Sequence, residues 1–307
     1  MAPVADLELE IDGRELTISH PEKILFPKDG ITKRDLVDYY RRIAPVALPH
    51  WRDRPLTMRR FPDGIGKKGF FQKDLPDHFP DWIDRIELPK EGGTVTHVLA
   101  NEAATLVYLA NQGCITAHLA LARAGRSDRP DRLIFDLDPS DDDFARVQRA
   151  AGWLKDLLDG LDAPSFVQTT GSRGLHVVLA LDRSAGFDEA RAFARDVAEH
   201  LAGEHPDELT VEQRKAERGN RIYLDIQRNA YGQTAVAPYA VRARNGAGIA
   251  TPLDWSEALD PKTGAASYTV RNIFRRLGQK ADPWTDIDAS SLQLEALAER
   301  FDRLESG

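Results

Sequence analysis

The chain has 307 residues and a net charge of −8, and 42% of its residues are hydrophobic and 29% charged, which is ordinary for a folded protein. No stretch approaches the roughly 18 apolar residues that a membrane-spanning helix needs, and the N-terminus lacks the basic and apolar regions of a secretory signal. The single cysteine, Cys114, excludes an intrachain disulfide and a thiolate-cluster metal site. We therefore expect a cytoplasmic protein.

Basic residues are concentrated in two segments despite the negative net charge. Residues 51–73 contain seven Lys or Arg residues, and residues 211–250 contain seven more. The acidic residues collect at 136–143 and near the C-terminus. Because local charge matters more than the sum, this distribution leaves nucleic acid open as a partner.

The first elements along the chain are a hairpin and a helix. Residues 7–18 alternate in polarity around Asp12-Gly13, a pattern typical of a β-hairpin. Thr32 followed by Asp35 forms a capping-box pattern that predicts a helix to about Ala47. Residues 50–90, which are rich in proline and glycine, predict a loop-rich basic segment with short strands.

The remaining elements follow from hydrophobic periodicity. Helices are predicted at residues 98–113, 144–159, 187–203, 267–278 and 290–304. Strands are predicted at 115–120, 132–138, 165–170, 175–181, 221–226 and 235–243. Of these, 165–170 is predicted to pair with 175–181, and 221–226 with 235–243. This order indicates an α+β protein with mixed sheets rather than a regular βαβ alternation.

Two carboxylates end the apolar strand at 132–138. Side chains two positions apart in a strand share a face, so Asp136 and Asp138 project together with Cα atoms roughly 6.6 Å apart. Leu133, Phe135 and Leu137 face the other way, into a core. Carboxylates at this spacing can jointly hold two divalent ions about 3.5–4 Å apart, an arrangement used in phosphoryl transfer.

Two later segments supply further polar groups. Residues 169–177 predict a glycine-containing hairpin turn that brings Ser172 and His176 together, where they can donate hydrogen bonds to a polyphosphate. Residues 221–229 add a third strand carboxylate, Asp225, with Arg228 three positions on.

This order of Asp-x-Asp, Ser-x-Gly-x-His and a third Asp resembles the archaeo-eukaryotic primase superfamily. It is most similar to the polymerase domain of bacterial ligase D, which acts in non-homologous end joining, and the similarity extends over about residues 14–285. Further matching stretches are residues 20–27, 70–76, 111–113 and 237–244.

The resemblance implies a primase-polymerase fold, with an RRM-like catalytic mixed sheet packed beside a second β-sheet and flanking helices. It implies a single module over 1–307. Within it, a 5′-phosphate- and template-binding part spans about 1–100, a catalytic part about 101–285, and a C-terminal helix 286–307.

The resemblance also assigns roles to individual residues. It implies that Asp136, Asp138 and Asp225 are catalytic and bind two divalent metal ions, with Mn²⁺ favoured and Mg²⁺ as the alternative. The residues implied to bind the nucleotide are Ser172, His176, Arg242, Arg244, His118, Arg59 and Arg228. The residues implied to bind DNA are Lys23 and Lys33 at a 5′-phosphate, Phe70 and Phe71 as stacking groups, and Arg60 and Arg218.

The function so implied is metal-dependent, template-directed addition of NTPs or dNTPs to DNA 3′-ends. The enzyme would fill gaps and overhangs near 5′-phosphorylated ends, in the nucleoid, with Ku and a DNA ligase as partners. One alternative is a primase or primase-polymerase of another repair pathway. A second is a haloacid-dehalogenase-type phosphatase, in which the first Asp of Asp-x-Asp is a nucleophile. A third is a non-catalytic DNA end-bridging module that uses the lysine and phenylalanine pairs alone.

Overall fold

A computed structural model describes residues 5–306 of the chain. These residues form two compact units. The first unit consists of the chain up to Ala120 together with residues 236–250 and 268–279. The second consists of residues 121–235 and 251–267 and the chain from Lys280 onwards. The backbone therefore passes from one unit to the other several times.

Two small strand pairs begin the first unit. The predicted hairpin is confirmed, with β1 (Leu7–Ile11) antiparallel to β2 (Arg14–Ile18). Asp12 and Gly13 have φ values of 54° and 74°, as a two-residue type I′ turn requires. The second pair joins β3 (Ile24–Phe26) to β4 (Ile31–Thr32).

Helix α1 (Lys33–Trp51) begins at the predicted capping box. The Asp35 amide donates to Thr32 Oγ1 over 3.2 Å, and the Thr32 amide donates to Asp35 Oδ2 over 2.8 Å. The helix contains Pro45 and Pro49 and continues past the predicted end at Ala47 to Trp51. Trp51 is buried, and its Nε1 donates to the carbonyl of Pro238 over 2.7 Å. Packing of this last turn thus outweighs the hydrogen bonds that the prolines remove.

The larger sheet of the first unit has the antiparallel strand order β9-β5-β8-β7, with β6 paired to β5. The strands are β5 (Pro55–Arg60), β6 (Phe70–Gln72), β7 (Arg85–Lys90), β8 (Gly93–Leu99) and β9 (Cys114–Ala120). A helix was predicted over residues 98–113, and its predicted start was wrong. Residues 93–99 form a strand, and α2 spans Ala103–Asn111. The three consecutive β-branched residues Thr94-Val95-Thr96 favour that strand.

The second unit is built around a mixed six-stranded sheet with the order β13-β14-β10-β12-β11-β16. The β13–β14 pair is parallel and the others are antiparallel. The strands are β10 (Arg132–Asp138), β11 (Ser165–Thr169), β12 (Leu175–Ala180), β13 (Leu209–Thr210), β14 (Ile222–Asp225) and β16 (Pro252–Leu253). The mixed α+β architecture is thus confirmed.

The predicted pairing of residues 221–226 with 235–243 was wrong. Strand β14 pairs with β10 and β13, and the later strand is only β15 (Thr234–Val236). The backbone turns after β15, because Tyr239 has a left-handed φ of 64°. The Tyr239 amide donates to the Ala250 carbonyl.

Helices α3 (Phe144–Gly160) and α4 (Phe187–Glu204) end within one residue of their predicted limits. The shorter α5 (Trp255–Ala258), α6 (Ile273–Leu277) and α7 (Leu294–Glu305) follow. Between residues 5 and 306, none of the helices has the length and apolar character to cross a bilayer.

Candidate active site

Three strands of the second unit place the predicted polar residues on one face of the sheet. Asp136, on β10, has Asp225 on β14 and His176 on β12 as its direct cross-strand partners. Asp138, two positions on, lies opposite Tyr223. Directly opposed residues in antiparallel strands have Cβ atoms about 4.5–5.5 Å apart, so the sheet brings the carboxylates and the imidazole together.

The guanidinium of Arg228 lies between two of these carboxylates. Its Nε is 3.6 Å from Asp136 Oδ2 and 3.8 Å from Asp225 Oδ2, and both aspartate side chains are only 15% exposed. The Gln227 amide also donates to Asp225 Oδ1 over 2.8 Å. Burial, followed by the negative charge of Asp136, raises the pKa of Asp225 above its ordinary value. A cation at this position therefore relieves a real electrostatic cost.

Asp138 is paired with two other arginines. Arg218 Nη1 lies 3.4 Å from Asp138 Oδ2, and Arg173 Nη2 lies 3.8 Å from Oδ1. The Arg218 guanidinium also stacks on Tyr223, with Cζ 3.9 Å from the ring centroid. Burial and the nearby Asp225 carboxylate raise the pKa of Tyr223 to about 12. Arg218, expected to contact DNA, is thus directed at a carboxylate of the site.

The carboxylates suit a hard divalent cation, because Mg²⁺ and Mn²⁺ prefer oxygen ligands. Asp136 and Asp225 are the pair best placed to share one, since they already share a guanidinium. Among residues 5–306, no three His, Cys, Asp or Glu side chains are gathered as ligands of one ion. The carboxylate oxygens therefore fit a divalent metal ion. Asp136 and Asp225 lie together, and Asp138 lies two positions further along β10.

His176 is buried and held by a residue that the motifs did not single out. Gln168 Nε2 is 3.1 Å from His176 Nδ1, and His176 Nε2 is 3.5 Å from Asp136 Oδ1. If the amide donates to Nδ1, the neutral imidazole has its proton on Nε2, on the carboxylate side. Gln168 and His176 lie directly opposite each other in the β11–β12 hairpin. Pairing the two predicted strands in this register could therefore have predicted the contact.

The turn between β11 and β12 lies against β10. A Cβ on Gly174 would be only 2.1 Å from the Leu137 carbonyl oxygen, and the Gly174 amide donates to Thr170 Oγ1 over 3.2 Å. Only glycine permits this approach. Ser172 lies in the same turn, and the predicted strand–turn–strand arrangement is confirmed.

Four predicted site residues cluster within the first unit, on and beside its larger sheet. Arg59 Cζ is 5.4 Å from the Phe71 ring centroid, and the Phe71 and His118 ring centroids are 5.6 Å apart. Burial and the positive charge of Arg244 lower the pKa of Arg59. Phe71 is 63% exposed, which leaves its ring available for stacking.

The neighbouring predicted residues are anchored in the same unit. Arg60 donates from Nε to the Gln112 carbonyl over 2.9 Å, and its Cζ is 5.7 Å from the ring centroid of the exposed Phe70. The Arg242 amide donates to the Gly248 carbonyl over 2.7 Å.

Lys23 and Lys33 are neighbours at the β3–β4 pair, because the Lys33 amide donates to the Lys23 carbonyl over 2.8 Å. The Lys33 ammonium donates to Ser19 Oγ over 3.4 Å and to Asn111 Oδ1 over 3.2 Å. Burial and the positive charge of Lys23 lower the pKa of Lys33. These two side chains are hereafter called the lysine pair. They form a positively charged site suited to an anion.

The chain is similar to known proteins over most of its length. The family described as "LigD, primase-polymerase domain" matches residues 32–284. The multifunctional non-homologous end joining protein LigD of Mycolicibacterium smegmatis is 31% identical over 277 residues, which are 89% of this chain and 36% of that protein. The bifunctional LigD of Bacillus subtilis is 31% identical over 274 residues, which are 89% of this chain and 44% of that protein.

A solved structure, the polymerase domain from Mycobacterium tuberculosis ligase D in complex with DNA, superposes with a TM-score of 0.84 at 30% sequence identity. It covers 90% of this chain and 99% of the other. The chain thus spans less than half the length of the curated relatives above and nearly all of a solved polymerase domain. By its sequence, its fold and its carboxylate-bearing sheet, the chain belongs to the LigD primase-polymerase domain family.

Proposed function

We propose that the chain is a metal-dependent, template-directed nucleotidyltransferase that adds NTPs or dNTPs to DNA 3′-ends. It fills gaps and overhangs during non-homologous end joining. The observation that supports this most is the cross-strand meeting of Asp136 with Asp225 and His176, with Asp138 on the same face, in a chain of this family.

Asp136, Asp138 and Asp225 would hold two divalent ions, with Mn²⁺ favoured. When bound, such ions lower the pKa of an attacking hydroxyl and stabilise the charge of a pyrophosphate leaving group. The carboxylates offset the charge of the ions. Ser172, His176 and Arg228 donate hydrogen bonds to triphosphate oxygens, with His176 donating from Nε2.

The first unit contributes further binding groups in this proposal. Arg59, His118, Arg242 and Arg244 bind the triphosphate, and Phe70 and Phe71 stack on bases, as exposed aromatic rings among basic groups do. The lysine pair binds a 5′-phosphate, while Arg60 and Arg218 contact DNA. The two units work as one polymerase module that acts in the nucleoid with Ku and a DNA ligase.

The test is extension of a labelled primer on a 5′-phosphorylated gapped duplex in the presence of Mn²⁺. We expect Asp136→Asn/Asp138→Asn to reduce the extension rate by about 100-fold or more, because charge stabilisation at the reacting groups is lost. The matched control is Asp142→Asn/Asp156→Asn, which removes two negative charges from exposed positions.

Primer extension by the variant tests the proposal, and separate assays of the wild-type protein test two of the rival functions. Extension at the wild-type rate by Asp136→Asn/Asp138→Asn would reject the proposal. Gapped-duplex binding by the wild-type protein without extension would support an end-bridging module. Release of phosphate from a generic monoester would support a phosphatase.

A further inference from the structure

The two ammonium groups of the lysine pair differ in their partners. Lys33 is 7% exposed, and Ser19 and Asn111 offer it neutral oxygen acceptors. Lys23 is more exposed, and its Nζ forms an ion pair with Asp63 Oδ1 over 2.7 Å. Lys23 therefore contacts a carboxylate counter-ion, whereas the hydrogen-bond partners of Lys33 are neutral and the Asp6 carboxylate acts on Lys33 only through its charge.

Asp63 is held at Lys23 by a turn anchored to β3. The Gly64 amide donates to the Phe61 carbonyl over 3.0 Å, and the Ile65 amide donates to the Leu25 carbonyl over 2.8 Å. Gly64 has a φ of 80°, and a Cβ there would be 2.9 Å from the Leu25 carbonyl oxygen. This turn fixes the residue before Gly64 beside the strand that follows Lys23. The backbone of this turn therefore positions Asp63 for its ion pair with Lys23.

A terminal phosphate is a stronger ligand for Lys23 than this carboxylate. A phosphate monoester has a charge of about −1.5 to −2 at neutral pH and three acceptor oxygens, whereas a carboxylate has a charge of −1. The hydrogen bond and charge of Lys23 lower the pKa of Asp63, so the carboxylate is ionised throughout the neutral range. Asp63 is also 72% exposed, so it is free to turn toward solvent when it is displaced.

We propose that Asp63 is a specificity-determining residue that competes with the 5′-phosphate for Lys23 and so limits the preference for phosphorylated ends. This inference rests on the proposed binding of a 5′-phosphate by the lysine pair. The carboxylate neutralises Lys23 while the site is empty, gives way to the phosphate, and returns as the phosphate leaves. Its presence weakens binding and speeds release of the end.

The test is direct binding, without nucleotide, of two fluorescent gapped duplexes that differ only in a 5′-phosphate or a 5′-hydroxyl. We expect Asp63→Asn to tighten binding of the phosphorylated duplex by about two- to fivefold, the size of an exposed ion pair, mainly through slower dissociation. Affinity for the hydroxyl duplex should stay unchanged, because that end offers no group to displace Asp63.

Two further variants separate competition from a general charge effect. In a Lys23→Ala background, Asp63→Asn should no longer change affinity for the phosphorylated duplex. Asp53→Asn makes the same change of charge at a carboxylate that accepts a hydrogen bond from Asn101, and it should leave the phosphate preference as in wild type. The effect of Asp63→Asn should also shrink as salt rises.

Unchanged affinity of Asp63→Asn for the phosphorylated duplex would overturn the inference, and so would weaker binding of that duplex. Equal tightening for both duplexes, or an effect that persists without Lys23, would also overturn it. Failure of the proposed phosphate site looks different. In that case the wild-type protein shows no preference for the phosphorylated duplex, and Lys23→Ala and Lys33→Ala change nothing.

Discussion

At the scale of single residues, the polar groups of the site depend on neighbours to which the sequence motifs gave no role. Gln168 contacts the imidazole of His176, and the backbone amide of Gln227 donates a hydrogen bond to Asp225 Oδ1. Such contacts fix which nitrogen of a histidine has the proton and how a carboxylate is oriented. If His176 binds nucleotide as proposed, we expect that binding to depend on Gln168.

Replacing Gln168 by Leu should raise the KM for nucleotide by about three- to tenfold and change kcat less, because one buried hydrogen bond that orients His176 is lost. Steady-state primer extension with nucleotide titration measures both constants. Ser165→Ala, on the same strand, is the control and should leave the KM unaltered. An unchanged KM in Gln168→Leu would show that His176 needs no orienting partner.

Local motifs predicted the carboxylates and the hairpin turn of the site, and the family resemblance supplied the other residues and all of the roles. The contacts between these residues were only partly predictable. Asp136 and Asp138 share a face because of strand geometry alone, which holds in any sheet. The pairing of Asp136 with Asp225 joins positions 89 residues apart, and no local pattern encodes it. Asp63 belongs to no motif, since its role as a counter-ion depends on the turn that brings it to Lys23.

At the scale of elements, the turn between β11 and β12 requires a glycine. We expect Gly174→Ala to lower both thermal stability and primer extension, by about tenfold or more for extension, because the added methyl group collides with the β10 backbone at Leu137. Gly152→Ala is the matched control in α3, where a Cβ meets no atom within 4 Å, and it should be neutral or stabilising. Equal effects of the two substitutions would contradict this close approach.

A second element, the short helical turn Ile287–Ser290, is attached to the rest of its unit by arginines. Asp288 Oδ2 lies 2.9 Å from Arg123 Nη2, and Arg132 contacts Oδ1. Burial acts to raise the pKa of Asp288, but the charges of Arg132 and Arg123 outweigh it and hold the pKa below its ordinary value.

A carboxylate with a depressed pKa stabilises the fold above its unfolded pKa, and this contribution is lost as the pH falls through the folded value. Asp288→Asn should therefore reduce the free energy of unfolding at pH 7 by up to about 1 kcal/mol, since the group is partly exposed. Below about pH 4 the difference from wild type should shrink. Denaturant unfolding at pH 7 and pH 3.5 measures it, and a difference independent of pH would contradict the ion pairs.

Helices and strands were predicted accurately where the sequence pattern lies within the element itself, and less accurately where the prediction required pairing with another segment. Helices α3 and α4 end within one residue of their predicted limits because their apolar stripes are continuous. The predicted pairing of 221–226 with 235–243 assumed that neighbours in sequence are neighbours in the sheet. Instead, β14 pairs with β10, and the later segment bends at the left-handed Tyr239.

At the scale of the whole molecule, a net charge of −8 coexists with locally basic segments of the chain. Each lysine or arginine bound to a DNA phosphate releases condensed counterions, so the logarithm of affinity falls with the logarithm of salt by about 0.9 per contact. We expect Lys33→Ala to reduce this slope for phosphorylated gapped duplex by about 1. Lys155→Ala, which removes a lysine paired with Asp159, should leave it unchanged. A slope unaltered by Lys33→Ala would place the phosphate elsewhere.

The overall class of fold was predictable, because the order of helical and strand patterns along the chain favours α+β. The division into two discontinuous units was not, since no linker or change of composition marks the points where the backbone crosses between them. These crossings depend on contacts such as the Tyr39 hydroxyl with the Tyr239 carbonyl, which lie 200 positions apart.

That discontinuity has a consequence for how the protein is made. The core of the first unit includes Ile43 near the start of the chain and Val241, Ile249 and Ile273 far along it. The ribosome must therefore synthesise most of the chain before the core of the first unit can form. Until then, the apolar side chains of α1 remain exposed while residues of the second unit are synthesised. Contacts of such long range slow folding and favour aggregation of the nascent chain. Synthesis at low temperature or with chaperones should improve the yield of folded protein.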